Sequence, residues 1–157
     1  VVENIYIENI NMSDIPADPL LFDLFYGGKG PMEEEETEAQ TGTVATPAVT
    51  IETPAFRNIF IKNIVSVNSN RAMYFNGLPE MKVKNVRVDN SVFKSIQGAV
   101  IKQTSGFVMN NVKISNTVGE IVEIENVDKA TFSNVTNQKG EKVQFSKDKQ
   151  NTDIVIE

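Results

Sequence analysis

Asn85-Val86-Arg87-Val88-Asp89-Asn90 places two valines in alternation with two charged residues and closes the run with asparagine at both ends. Alternation at period two is the mark of a strand with one buried face. Asparagine tolerates the left-handed backbone of a sharp bend better than other residues with a side chain. The six residues therefore read as one short strand held between two bends. The same unit stands at Asn4-Ile5-Tyr6-Ile7-Glu8-Asn9, at Asn58-Ile59-Phe60-Ile61-Lys62-Asn63 and at Asn111-Val112-Lys113-Ile114-Ser115-Asn116, with a weaker copy from Asn134. From Asn58 onward the copies begin 27, 26 and 23 residues apart, and 54 residues separate the first two.

A second apolar run follows each unit: Leu20–Phe25, Ala72–Phe75, Ala99–Ile101, Ile121–Ile124 and Val143–Phe145. A third apolar touch precedes the units, as at Phe56, Val83 and Phe107–Met109. Two or three short strands per repeat of this length describe a solenoid coil. A sandwich would need hairpin turns, and Asn76-Gly77 is the single Asn-Gly pair. A leucine-rich repeat would need a Leu-x-x-Leu-x-Leu frame, which is missing. Strands that return in one direction pair in parallel, with right-handed crossovers. The expected fold is all-β: a right-handed parallel β-helix of about five to six coils, with asparagine amides stacked between coils at about 4.8 Å.

The 157 residues fit one domain. No apolar run approaches a membrane span, and no membrane partner is expected. Four of the 21 acidic residues form the run Glu33–Glu36; without them the net charge of −6 falls to −2. There is no basic stripe, so no nucleic-acid partner is expected. Cysteine and histidine are both absent. That excludes thiol chemistry, Ser-His-Asp triads and histidine metal sites, and no cofactor or metal is expected. Acid–base chemistry would fall to carboxylates, lysine or tyrosine.

Residues 27–53 break the pattern with a Gly-, Pro- and Thr-rich acidic stretch, read as a loop insertion. Consecutive glutamates lack the spaced ligands of a calcium loop. Residues 147–157, with Ile154-Val155-Ile156, read as a cap over the last coil. The opening Val1-Val2-Glu3-Asn4 has neither the basic nor the apolar region of a leader, so the chain is expected to be a mature product or a piece of a longer one. Its first coil would then present open parallel edge, and self-association through that face is expected.

Inverting hydrolysis of a glycan needs two carboxyl groups about 6.5 to 9.5 Å apart on one groove. Asp14, Asp18 and Asp23 cluster in sequence, but Asp14 and Asp18 lie in a turn composition and Asp23 alternates outward on its strand. Tyr26, beside Gly27-Gly28, is a candidate to stack on or bond to a sugar. Arg71, just ahead of a strand, is a candidate partner for the carboxylate of an acidic sugar or for a structural ion pair.

Val2–Met12, Asp18–Tyr26, Thr53–Ile59 and Arg71–Glu80 together resemble the C-terminal coils of polygalacturonases, family 28 of the glycoside hydrolases, of the Bacteroidetes type. The resemblance implies that a parent protein hydrolyses galacturonate-containing pectic polysaccharide with inversion, outside the cell or in the periplasm of a bacterium. It places Tyr26 near substrate. The family's Asn-Thr-Asp, Asp-Asp, Gly-His-Gly and Arg-x-Lys motifs are absent, so the resemblance implies no catalytic residue in this chain and an inactive fragment. The alternative is a non-catalytic β-helix that binds glycans or serves as an adhesin-like structural module.

Overall fold

The computed structural model describes residues 1–25, 46–143, 145–147 and 150–157. Tyr26, the Glu33–Glu36 run and most of the 27–53 insertion lie outside them. The described chain is all-β, without a helix, and its paired strands are parallel. Strands β1 (Val2–Ser13), β3 (Phe56–Asn76), β4 (Val83–Thr136) and β5 (Ser146–Lys147) follow one another across the sheet. Strand β2 (Leu21–Asp23) adds to β3, and β6 (Thr152–Ile156) adds to β4.

Register explains why the sequence repeats. Ile5, Ile59 and Val86 are paired partners, as are Ile7, Ile61 and Val88. Each return of the chain, or pass, therefore lays Ile or Val over Ile or Val on the inner face. Their side chains are buried from the second pass on. Phenylalanines form a second inner column: Phe22 on Phe75, Phe75 on Phe107, Phe107 on Phe132 and Phe132 on Phe145, with ring centroids 5.0, 5.3, 6.2 and 4.3 Å apart. Each fully buried ring contributes about 1.5–3 kcal/mol of apolar transfer, so this column and the Ile/Val columns hold the passes together.

Two bends recur in every pass and are built on left-handed residues. Asn4, Asn58 and Asn85 occupy the first bend at φ 58°, 56° and 54°. Gly106 packs over Asn85 and continues that column at φ 72°, followed by Lys129 and Asp153. Asn9, Asn63, Asn90, Asn111 and Asn134 occupy the second bend, all at positive φ. Amides bond along both columns. Asn58 donates to Asn4 at 3.1 Å and Asn85 to Asn58 at 2.8 Å. Asn63 donates to Asn9, Asn111 to Asn90 and Asn134 to Asn111, at 2.8 to 2.9 Å.

This corrects the reading of the later copies. Asn111–Asn116 spells the repeated unit, yet Asn111 stacks on Asn90, the end of the preceding unit, and not on Asn85. The chain takes 21 residues from Asn90 to Asn111 and 23 from Asn111 to Asn134. The physical reason is a substitution at one bend. Gly106 reaches the left-handed region at no steric cost, so the first bend of that pass needs no asparagine and drops out of the motif. The run Asn111–Asn116 then fills the strand after the second bend, as Asn63–Asn68 does two passes earlier.

Candidate functional site

A third bend follows that strand, and there the column fails. Asp14 and Asn68 still form a ladder pair, both at positive φ, with Asn68 donating to the Asp14 carboxylate. On the next pass the register slips by one between Val67 and Ser69, and Ser95 pairs with Ser69. No residue there stands opposite Asn68. One pass further, Asn116 is absent from the left-handed set. Its amide turns back on its own chain and donates to the carbonyls of Val118, Gly119 and Glu120 at 2.9–3.2 Å.

Where the ladder stops, the surface opens. A hollow of about 640 Å³ lies over Ile114–Thr117, Gly119 and Asn137–Lys139. A second, of about 310 Å³, lies over Val67–Ser69, Lys94–Ile96 and Ser115–Thr117. They share Ser115, Asn116, Thr117 and Gln138 and so form one shallow groove running across four successive passes. Its lining residues include amide and hydroxyl side chains, Lys94 and Lys139, and the half-exposed Ile96. Among the described residues no aspartate or glutamate lines either hollow. Such walls donate hydrogen bonds to hydroxyl and carboxylate oxygens and supply no carboxyl pair for general acid–base work. Among the described residues no cluster of three or more His, Cys, Asp or Glu is placed to hold a metal ion.

The sequence candidates lie elsewhere. Arg71 meets the protein's own carboxylate: its Nη1 is 3.5 Å from Asp18 Oδ2, and its guanidinium carbon is 4.5 Å from the centroid of the Tyr74 ring. The pair is imperfect. Arg71 Nε and Asp18 Oδ1 are buried and have no hydrogen-bond partner among the described residues. Burial pushes the Asp18 carboxyl above its ordinary value, and the Arg71 charge only partly offsets that. Asp14 and Asp23 are ladder residues; Asp23 Oδ1 accepts from the Asn76 amide at 3.1 Å and from the Phe25 N–H at 3.0 Å. On the same side, Lys102 Nζ is 2.9 Å from Glu125 and 3.7 Å from Glu123. Burial would lower Lys102, and Glu125, Glu123 and Tyr74 together raise it above its ordinary value.

The groove residues Lys94, Thr117, Gln138 and Lys139 were not singled out in the sequence, and Asn116 stood there only as the closing bend of a repeated unit. The signal was there: counting from the second-bend asparagines, Ser95 stands where Asn68 stood. No family model, no curated protein and no solved structure matches the chain.

Proposed function

We propose that the chain is a right-handed parallel β-helix module that holds a polysaccharide along its stacking axis without cutting it. The observation that carries this reading is the groove at the third bend. It crosses four passes, which suits an extended repeating ligand. It offers amides, hydroxyls and two lysines, and no carboxylate among the described residues lines its walls. The fold part of the proposal rests on parallel pairing at intervals of 54 and 27 residues, on ladder bonds at 21 and 23, and on the right-handedness of parallel crossovers. The resemblance to the C-terminal coils of polygalacturonases supports a galacturonate-containing pectic chain as ligand, through a parent hydrolase acting outside the cell or in the periplasm. Lys94 and Lys139 suit the carboxylates of such a chain.

Calorimetric titration with oligogalacturonate and with a neutral oligosaccharide of equal length, run beside a reducing-sugar assay, tests the reading. Binding is expected to favour the acidic ligand, to weaken about tenfold in Lys94→Ala/Lys139→Ala, and to occur without hydrolysis. Turnover would contradict the non-cutting role, and binding unaffected by the double substitution would contradict the groove.

A further inference from the structure

The groove carries apolar surface as well as polar groups. On the inner passes, which have chain on both sides, the described large apolar side chains left exposed are Val65, Ile96 and Val118. The other exposed ones lie on the first and last passes or at Val49 and Ile51. Two of the inner three stand at the third bend. Ile96, 50% exposed, lines the smaller hollow. Val118, 61% exposed, sits between Thr117 and Gly119, which line the larger one. The Thr117 hydroxyl donates to the Ile96 carbonyl at 3.3 Å and ties the two passes together. The Asn116 amide, released from the ladder, donates to the Val118 carbonyl at 2.9 Å and fixes the loop that carries the valine. A single exposed aliphatic is ordinary on a protein surface; two on adjacent passes at the rim of one groove form a short apolar strip.

The lysines bracket that strip. Lys94 lies on the pass of Ile96, and Lys139 lies one pass beyond Val118. Neither is in an ion pair among the described residues. At a strand spacing of about 4.8 Å the two are about 10 Å apart along the axis, with Val118 on the pass between. A pyranose unit of an extended chain advances by roughly the spacing of one pass. A fully ionised galacturonate chain would therefore bring a carboxylate over the valine, where it meets no cation and loses water. We infer that the ligand is a galacturonan part of whose carboxyl groups are capped as methyl esters, an inference that rests on the polysaccharide-binding reading above. Free carboxylates lie at Lys94 and Lys139, and ester methyls lie on Ile96 and Val118.

Each methyl taken out of water against an aliphatic side chain is worth about a factor of four in affinity, so two should give about tenfold. Calorimetric titration of the 157-residue chain with oligogalacturonates of equal length, carrying no methyl ester, esters on about half the units and esters on all of them, tests this. The half-esterified ligand is expected to bind tightest, by about tenfold over the unesterified one. Ile96→Ser/Val118→Ser should abolish that advantage and leave affinity for the unesterified ligand within about twofold. Ile96→Val/Val118→Ile, which keeps branched aliphatic surface, should retain the advantage. Circular dichroism of both variants checks that the fold is kept. Lysine-dependent binding with no preference for the half-esterified ligand, tightest binding of the fully esterified one, or a preference that survives Ile96→Ser/Val118→Ser would overturn the inference and leave the groove a saccharide site. Failure of all three ligands to bind would overturn both.

Discussion

The second and third bends of this molecule begin alike and diverge. At the second bend, five asparagines from Asn9 to Asn134 share the left-handed conformation, and all five lie in ladder pairs with the pass before or after at 2.8–2.9 Å, with Asn111 bonded on both sides. At the third, the column runs from Asp14 to Asn68 and stops, because the next pass is one residue shorter and places Ser95 beside Ser69. Asn116 then bonds to its own loop. Neither hollow is lined by a second-bend asparagine. The bend that loses its ladder opens a groove across four passes. Shortening a repeat by one residue is thus enough to turn scaffold into surface.

Gly98 gives the sharpest means of breaking this contrast. It follows the shortened bend, and a Cβ there would stand 2.2 Å from the carbonyl oxygens of Glu120 and Ile121, the backbone that leaves the groove loop. Gly98→Ala should cost about 3 kcal/mol or more, since backbone must move to admit it; denaturant midpoints measure the loss, and a change near zero would mean that the fourth pass does not lie as close as described. A smaller effect separates the two bends directly. Asn63→Ala forces a Cβ-bearing residue without a local hydrogen bond into φ 56° and breaks a ladder bond, which should cost about 2 kcal/mol. Asn116→Ala should cost less than about 1 kcal/mol and should alter ligand binding in the groove instead. Equal losses at the two sites would erase the distinction.

Beside the first bend, Lys82 Nζ reaches Asp128 Oδ1 at 2.6 Å, and the Ser105 hydroxyl donates to the other carboxylate oxygen at 2.6 Å. Burial alone would raise Asp128; the two hydrogen bonds outweigh it and hold the carboxyl below its ordinary value of 3.8. A depressed carboxyl stabilises the fold above the unfolded value and loses that contribution as pH falls through the folded one. Asp128→Asn should therefore cost about 1 kcal/mol at neutral pH, with the difference from the parent chain closing in strong acid. A gap independent of pH would assign the effect to packing. The smallest change is expected at Ser66, whose buried hydroxyl has no partner among the described residues. Ser66→Ala should be neutral or stabilising by up to about 1 kcal/mol, in contrast with Ser91, whose hydroxyl accepts from the Ile64 N–H on the neighbouring pass.

How much of this could be read from the chain depends on which residues signal by type. Asparagine at a left-handed bend is nearly a signature, so the first three copies of the unit were legible as bends joined by strand, and parallel pairing followed from their spacing. Glycine at the same bend is silent, because Gly106 reads as any turn residue. That silence moved Asn111 to the wrong column and hid the 21-residue pass. The groove was illegible for a related reason: it is made by residues at which the asparagine pattern lapses, and a lapse in a motif looks like noise until the register is known. Arg71 was legible as a candidate ion-pair residue, but its partner Asp18 comes from the preceding pass, which spacing alone did not connect.

The register of the later passes turns on which asparagine lies under Asn111. Since the chain has no cysteine, two double-cysteine variants answer this without background. Adjacent parallel passes bring Cα atoms to about 4.8 Å, within the range a disulfide spans. Under mild oxidation Asn90→Cys/Asn111→Cys should form an intramolecular disulfide readily, and Asn85→Cys/Asn111→Cys, at bends with the same backbone cost, should not. Efficient cross-linking of the second pair and not the first would restore the 26-residue repeat, remove the 21-residue pass, and shift Asn116 from the third bend to the second, away from the groove.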